Sequence, residues 1–197
     1  MIYVYAARHA IPPAPDLNTT VVTPWRLPGE HAAAWAATAR PEAISRVDEH
    51  ALTYPEMPSE PQAALVQIRA AYQGCARCHL SDRRTKVCIL KGNPYAAVLA
   101  LGESPGKVDD IRGEPFIGPS GKLQDELFRE AGIDPWRDVA WANVLGCRAA
   151  ETRFAEERAP SLVESVACSE RLLMTLRAIR PRIVLCFGAS AAEVFFR

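Results

Sequence analysis

Four cysteines are the residues of this chain whose types and spacing most clearly suggest chemistry. Cys75 and Cys78 form a C-x2-C pair, and two distant partners, Cys147 and Cys168, follow later. Four thiolates can hold a structural zinc ion or an iron–sulfur cluster, but one pair plus two single cysteines differs from the paired knuckles of a zinc ribbon. We therefore expect a metal site built from loops that are distant in sequence. A chance C-x2-C beside two unrelated thiols is the alternative.

A second candidate site is the turn 102–106, which reads Gly-Glu-Ser-Pro-Gly and follows an apolar run. Glycine lets a backbone approach a ligand closely, and the carboxyl ends of parallel strands form the binding crevice of open sheets. Phe116 stands between Pro115 and Gly118. A phenyl ring held between two such turns is a stacking platform for a flat ligand, although loop packing is its commoner role.

Asn143 is the third candidate, because it ends another apolar strand pattern four residues before Cys147. Its amide offers one acceptor and two donors, which is enough to read the edge of a nucleobase. A strand-end cap is the commoner role for such a residue. The segment 118–121 leads into a helix whose N-terminus suits a phosphate. These patterns together predict a phosphate- or base-binding mouth beside the metal site.

The elements that must position these groups alternate between helix and strand. Apolar residues at helical spacing, with prolines at first turns and glycines after last turns, predict helices. Continuous apolar runs that stop at glycine predict buried parallel strands. We expect helices over 61–72, 120–131, 161–179 and 189–196, and strands over 96–101, 139–142 and 183–187. This alternation predicts an α/β fold with three layers, α/β/α, around a central, mainly parallel sheet.

Residues 1–60 are proline-rich and are interpreted as an N-terminal extension of a domain that covers 61–197. The chain starts without a signal-peptide pattern and has no apolar run of 18 residues, so we expect no membrane span. Six cysteines without an export signal favour metal ligands or free thiols in a reducing cytoplasm.

The overall charge does not identify a partner, because 23 basic residues balance 23 acidic ones. A local basic excess lies close to the first cysteine pair, and we expect it either to bind a nucleic-acid backbone or to form a solvated loop. Its members are Arg77, His79, Arg83, Arg84, Lys86 and Lys91.

The motifs occur in the order C-x2-C, GE-x-PG, an acidic pair (Asp109 and Asp110), G-x-PF-x-G, N-x3-C, C and P-x-IV-x3-GA-x-AA. This order resembles the iron–sulfur uracil-DNA glycosylases of family 4, over residues 72–197. The resemblance implies the uracil-DNA glycosylase fold. It also implies a 4Fe-4S cluster, with zinc as the alternative, on Cys75, Cys78, Cys147 and Cys168.

The same resemblance implies a role for each candidate residue. Phe116 would stack on a flipped uracil, and Asn143 would hydrogen-bond to its edge. Gly102 and Ser104 would shape the pocket and position water. The predicted catalytic carboxylates are Glu103 and Asp109, which would assist water or stabilise charge. The implied activity is hydrolysis of the N-glycosidic bond in uracil-containing DNA, single- or double-stranded, during base excision repair, by a monomeric protein.

The chain also departs from the family pattern. A His-Pro-Ser-like motif, whose histidine stabilises the leaving uracil, is expected after the last strand, but the four histidines are His9, His31, His50 and His79. We therefore expect a domain that is incomplete at its C-terminus. A diverged iron–sulfur module that binds DNA or a base without cleavage is the second hypothesis, and a zinc-stapled structural protein is the third. A further hypothesis places His9 at the mouth as the missing donor.

Overall fold

A four-stranded sheet forms the centre of the part of the chain that the computed structural model describes, residues 58–196. Its strands are β1 (Lys91–Gly92), β2 (Val98–Gly102), β3 (Val139–Asn143) and β4 (Ile183–Cys186). They lie in the order β1-β3-β2-β4. β2 pairs in parallel with both β3 and β4, and β1 runs antiparallel to β3. The sheet is therefore mainly parallel, as predicted.

Residues 58–196 also form five α-helices: α1 (Pro61–Tyr72), α2 (Lys107–Arg112), α3 (Pro119–Glu130), α4 (Leu162–Ile179) and α5 (Ala189–Phe196). α1 begins at a proline, and the Glu60 carboxylate accepts hydrogen bonds from the first free backbone N–H groups. Ser161 caps α4 in a reciprocal arrangement with Glu164. None of the helices in the described residues combines the length and apolar character that crossing a membrane requires.

Alternate residues of each strand pack on opposite faces of the sheet. Leu99 and Leu101 belong to a core cluster that contains residues of α1 and α4, which contact each other. Ala100 and Trp141 belong to a second cluster with Phe128 of α3. Because successive side chains of a strand point to opposite faces, both faces of the sheet are covered by helix. The predicted three-layer α/β/α architecture is confirmed.

The predicted helices and strands within the described residues are all present, with ends shifted by no more than two residues. β1 and α2 were not predicted. A two-residue strand is too short to show a period, and the six residues of α2 follow a Pro-Gly turn that reads as loop. Residues 1–10 have a strand-like apolar pattern, and residues 31–40, which are rich in Ala and Trp, are compatible with a short helix. Both segments, and with them His9, lie outside the described residues. The boundary between residues 60 and 61 stays a prediction.

The packing of α1 yields a stability prediction. The Ile68 side chain is 0% exposed, whereas that of Val66 on the same helix is 59% exposed. Ile68→Ala should lower the free energy of unfolding by about 2–5 kcal/mol, because it leaves a cavity against α4. Val66→Ala should change it by less than about 0.5 kcal/mol. Urea unfolding followed by circular dichroism measures both, and equal losses would contradict the described packing of α1.

Candidate active site and metal centre

The pairing of β2 with β3 brings two of the predicted site segments together. Gly102 is the register partner of Asn143 at the carboxyl ends of these adjacent parallel strands. The ladder continues beyond both strands, because Val144 N donates to Gly102 O at 2.8 Å and Leu145 N donates to Glu103 O at 3.0 Å. The turn 102–106 and Asn143 are therefore held side by side by backbone hydrogen bonds.

Gly102 is the point at which three predicted residues meet. A Cβ atom built on Gly102 would lie 2.4 Å from Asn143 Oδ1 and 2.5 Å from Phe116 Cζ. Only glycine leaves that space open. Within the described residues, the Asn143 amide forms no hydrogen bond, although the residue itself is buried. Its donors and its acceptor are available to a ligand beside the phenyl ring.

Phe116 is held in an unusual backbone conformation. Its φ of 56° lies in the left-handed region that aromatic residues rarely adopt. The Lys91 ammonium group donates to Phe116 O at 2.9 Å and to both carboxylate oxygens of Asp125, at 2.9 and 3.1 Å. A Cβ on Gly121 would lie 2.0 Å from the same carbonyl oxygen. The backbone of the predicted stacking residue is therefore determined by a buried ion pair and a close helix contact.

Lys91 and Asp125 are site residues that sequence reasoning missed. Lys91 is buried, and its ammonium group lies 4.7 Å from the ring centroid of Trp141. The available signal was a lysine directly after the apolar run 87–90, where a strand would not expose it. The sequence prediction instead places Lys91 in the local basic excess, as a solvated residue or as a contact to a nucleic-acid backbone. A lysine is fully buried only when it is paired, and this pairing supports Phe116.

Asp109 has a clear structural role. Its two carboxylate oxygens accept hydrogen bonds from four backbone N–H groups at 3.0–3.2 Å, those of Gly106, Phe116, Ile117 and Gly118. The carboxylate thereby joins the turn 102–106 to the loop that carries Phe116. Both of its oxygens are engaged, so the geometry makes Asp109 an organiser of the pocket. A direct catalytic role for Asp109 stays a prediction.

Glu103 and Ser104 lie half-buried in the turn. In contrast to Asp109, the Glu103 carboxylate forms no hydrogen bond or ion pair with any described residue. Of the two predicted catalytic carboxylates, Glu103 is the one whose oxygens are free to orient water. Its catalytic role, like the water-positioning role of Ser104, stays a prediction.

The four predicted metal ligands line one pocket. Cys75 and Cys78 lie just before the short 3-10 helix His79–Asp82, and Cys78 is its N-cap residue. Cys147 follows β3, and Cys168 lies on α4. All four are free thiols. No three cysteine, histidine or acidic side chains of residues 58–196 are placed to hold a metal ion. The donor set nevertheless has the chemistry of a thiolate-bound metal site.

Burial raises the pKa of two of these thiols. It raises the pKa of Cys78 to about 11 and moves that of Cys147 upward still further. Without a metal, both thiols are therefore protonated at neutral pH, and metal binding must release protons. This behaviour is typical of buried metal ligands and differs from that of exposed reactive thiols, whose pKa is lowered.

Most residues of the local basic excess have partners inside the protein. Arg77 pairs with Glu170, Arg83 with Glu151 at 3.0 Å, and Arg84 donates to Cys75 O at 2.5 Å. The described residues contain one histidine, His79. Its ion-pair partner is Glu164, which lies near the cysteines and not beside Phe116. The local basic excess therefore serves largely to hold the cysteine loop, and the charge left for a nucleic-acid backbone is smaller than the sequence suggests.

Glu164, on α4, connects that helix to His79, which follows Cys78, and to Arg158 in the segment between Cys147 and Cys168. Its fully buried carboxylate accepts two hydrogen bonds from Arg158, at 2.6 and 2.9 Å, one from Ser161 N at 2.7 Å, and a contact from His79 Nε2 at 2.9 Å. Burial opposes ionisation, but the hydrogen bonds from Arg158 and Ser161 outweigh it and hold the pKa of Glu164 below its usual range. The ionised carboxylate therefore stabilises the fold.

This depressed pKa gives a pH prediction. The stabilisation by Glu164 is fully present above the unfolded-state pKa of about 4.3, and it is lost as the pH falls through the lower folded-state pKa. Glu164→Gln should lower the free energy of unfolding at pH 7 by about 1–3 kcal/mol. It should also show a shallower loss of stability than the parent protein on acidification. The exposed Glu126→Gln is the matched control, and parallel stability–pH curves for all three proteins would refute the assignment.

Comparisons of the sequence with known proteins identify its family. The model of the Uracil DNA glycosylase superfamily matches residues 90–197. The type-4 uracil-DNA glycosylase of Archaeoglobus fulgidus is 37% identical over 133 residues, which cover 68% of this chain and 64% of the relative. Those of Thermotoga maritima and Saccharolobus solfataricus are 36% and 33% identical over 121 and 123 residues.

The alignments with the last two relatives cover 61% and 62% of this chain, and 60% and 55% of the relatives. The chain therefore spans less than two thirds of the length of each of these three proteins. The resemblance to family 4 that the motif order suggested is confirmed. With a family model that matches more than half of its residues, the chain belongs to the uracil DNA glycosylase superfamily.

Proposed function

We propose that this chain binds uracil-containing DNA and hydrolyses the N-glycosidic bond between uracil and deoxyribose, as a glycosylase of base excision repair. The observation that carries the proposal is the convergence of Gly102, Phe116 and Asn143 at the ends of β2 and β3. The Asn143 amide has no hydrogen-bond partner among residues 58–196. The names of the relatives, type-4 uracil-DNA glycosylases, support the same activity.

Recognition begins with a base that has left the helical stack, because the glycosidic bond is not accessible inside a duplex. The Phe116 ring offers a face on which the extruded base stacks. The Asn143 amide offers a donor and an acceptor to the base edge. Uracil and cytosine present opposite donor and acceptor patterns at that edge, so an amide held in one orientation favours uracil.

Cleavage of the glycosidic bond builds positive charge on the sugar and negative charge on the departing base. The Glu103 carboxylate, which has no partner among the described residues, is suited to stabilise the sugar and to orient the attacking water. Hydrogen-bond donors held near the uracil oxygens stabilise the leaving base. Asp109 acts indirectly, because it holds the backbone of residues 116–118 in place.

We further propose that Cys75, Cys78, Cys147 and Cys168 hold a 4Fe-4S cluster, with zinc as the alternative. Four thiols around one pocket fit such a group. A buried guanidinium nitrogen without a partner, Arg171 Nη1, also fits, because it calls for negative charge nearby. A bound cluster would supply cross-linking and negative charge, in keeping with a reducing cytoplasm. The protein itself contributes the loops that this cross-link would hold.

Uracil excision by anaerobically purified protein tests the activity. Single- and double-stranded oligonucleotides with one uracil should be cleaved at that position after alkali treatment. Asn143→Ala should lower kcat/KM by roughly 100-fold, because the base edge loses its hydrogen bonds. Gln67→Ala, on the exposed face of α1, serves as the control. If the metal-loaded protein binds uracil-containing DNA but does not excise uracil, the result would favour the hypothesis of a binding module without turnover.

A pair of glycine variants tests the pocket itself. In Gly102→Ala the new Cβ would collide with the Asn143 amide and the Phe116 ring, whereas a Cβ on Gly106 of the same turn meets no atom within 4 Å. Gly102→Ala should therefore lower excision by at least about tenfold, with circular dichroism and melting temperature close to those of Gly106→Ala. Equal activity of the two variants would place the uracil pocket elsewhere.

Iron analysis and visible absorption test the metal centre. Cys168→Ser should lose iron and the brown colour, because one of the four ligands is removed. Cys186→Ala is the matched control, since Cys186 is buried in β4 and does not line the cysteine pocket. A colourless protein that contains zinc would support the alternative metal. Unchanged iron in Cys168→Ser would remove Cys168 from the ligand set.

A further inference from the structure

Arg171 is the most deeply buried cationic side chain among the described residues, and the proposed mechanism gives it no role in catalysis. It lies on α4, three residues after Cys168, and is 1% exposed. No carboxylate among the described residues pairs with it, and its Nη1 atom has no hydrogen-bond partner. Burial of an unpaired guanidinium ion is costly. A protein retains such a group when a bound negative charge balances it or when the group holds functional residues in place.

One side of the guanidinium faces the cysteine pocket. Arg171 Nε donates to Cys168 Sγ at 3.2 Å, and Gly146 N donates to the same sulfur at 3.3 Å. A thiolate that binds a metal cluster carries the negative charge that this cation lacks. Hydrogen bonds and cations near the ligand sulfurs stabilise the reduced, more negative state of a cluster and raise its reduction potential.

The other side of the guanidinium holds the strand that carries the base-reading residue. Arg171 Nη2 donates to Asn143 O at 2.6 Å and to Val144 O at 2.7 Å. Gly146 makes room for this side chain, because a Cβ there would lie 3.0 Å from Arg171 Cδ. One planar group thus joins a predicted cluster ligand to the backbone of the predicted uracil reader.

We propose that Arg171 is a positioning residue that couples the metal cluster to Asn143. Its charge and its Nε–H tune the cluster through Cys168. Its Nη2 holds the carbonyl groups of residues 143 and 144, so that the Asn143 amide faces the extruded base. The first half of this inference rests on the proposed cluster, and the second half rests on the proposed excision of uracil.

Two substitutions separate charge from geometry. Arg171→Gln removes the positive charge, whereas Arg171→Lys keeps it but loses the planar fork. The matched control is Arg129→Gln, an exposed arginine on α3. Protein-film voltammetry of the anaerobically purified, iron-loaded proteins should show a more negative reduction potential for Arg171→Gln. Arg171→Lys should show a smaller shift in the same direction, and the control should show none.

Excision kinetics supply the second readout. Both Arg171 variants should lower kcat/KM for uracil-containing oligonucleotides by roughly 10–100-fold, at iron contents equal to that of the parent protein. Should Arg171→Gln not load iron, the potential and kinetics of Arg171→Lys carry the test.

Three results would overturn the proposal: potentials that match the control, full excision by both iron-loaded variants, or a native metal that proves to be zinc, which has no potential to tune. If the parent protein does not excise uracil, the proposed function fails, and the potential alone decides whether Arg171 acts on the cluster.

Discussion

The parallel pairing of β2 with β3 is the constraint on which the rest of the site depends. Its register sets Gly102 opposite Asn143, and a single-residue slip would turn the Asn143 side chain to the other face of the sheet. Both strands are buried, so the register is strongly determined by the two cores that they share. The glycine then provides the space in which an amide and an aromatic ring meet.

Buried polar groups translate that register into an ordered pocket. The Asp109 carboxylate binds four backbone N–H groups and thereby joins the loop of Phe116 to the end of β2. Lys91, paired with Asp125, donates a hydrogen bond to the Phe116 carbonyl oxygen. Each of these charges is almost fully coordinated inside the protein. Their common effect is a strained but single conformation of the residue proposed to stack on uracil.

The cysteine pocket and the proposed base pocket are connected by hydrogen bonds. Glu164 holds the segments on either side of the cysteines, and Arg171 reaches from Cys168 to the carbonyl groups at the end of β3. If the metal centre served only to cross-link loops, a hydrogen-bonded connection to the strand of Asn143 would not be needed. The arrangement gives the proposed cluster a physical route by which it can stabilise base recognition.

The sequence by itself determined the fold class and the positions of the longer elements. It also identified the four cysteines and the residues of the proposed base pocket. These features follow from apolar periodicity, from glycine and proline placement, and from motif order, all of which are local. The tertiary structure alone decided the partners of the charged residues. Lys91 lies in a basic stretch of the sequence, but in the structure it is buried and supports Phe116. The sequence likewise does not show that both carboxylate oxygens of Asp109 accept hydrogen bonds from backbone N–H groups.

Arg171 carries no sequence signal, because a charged residue in a helix is normally solvated. Whether a charge is exposed, paired or aimed at a metal ligand depends on which distant segments fold around it. Local sequence patterns do not contain that information, whereas the packing of α4 against the end of β3 does.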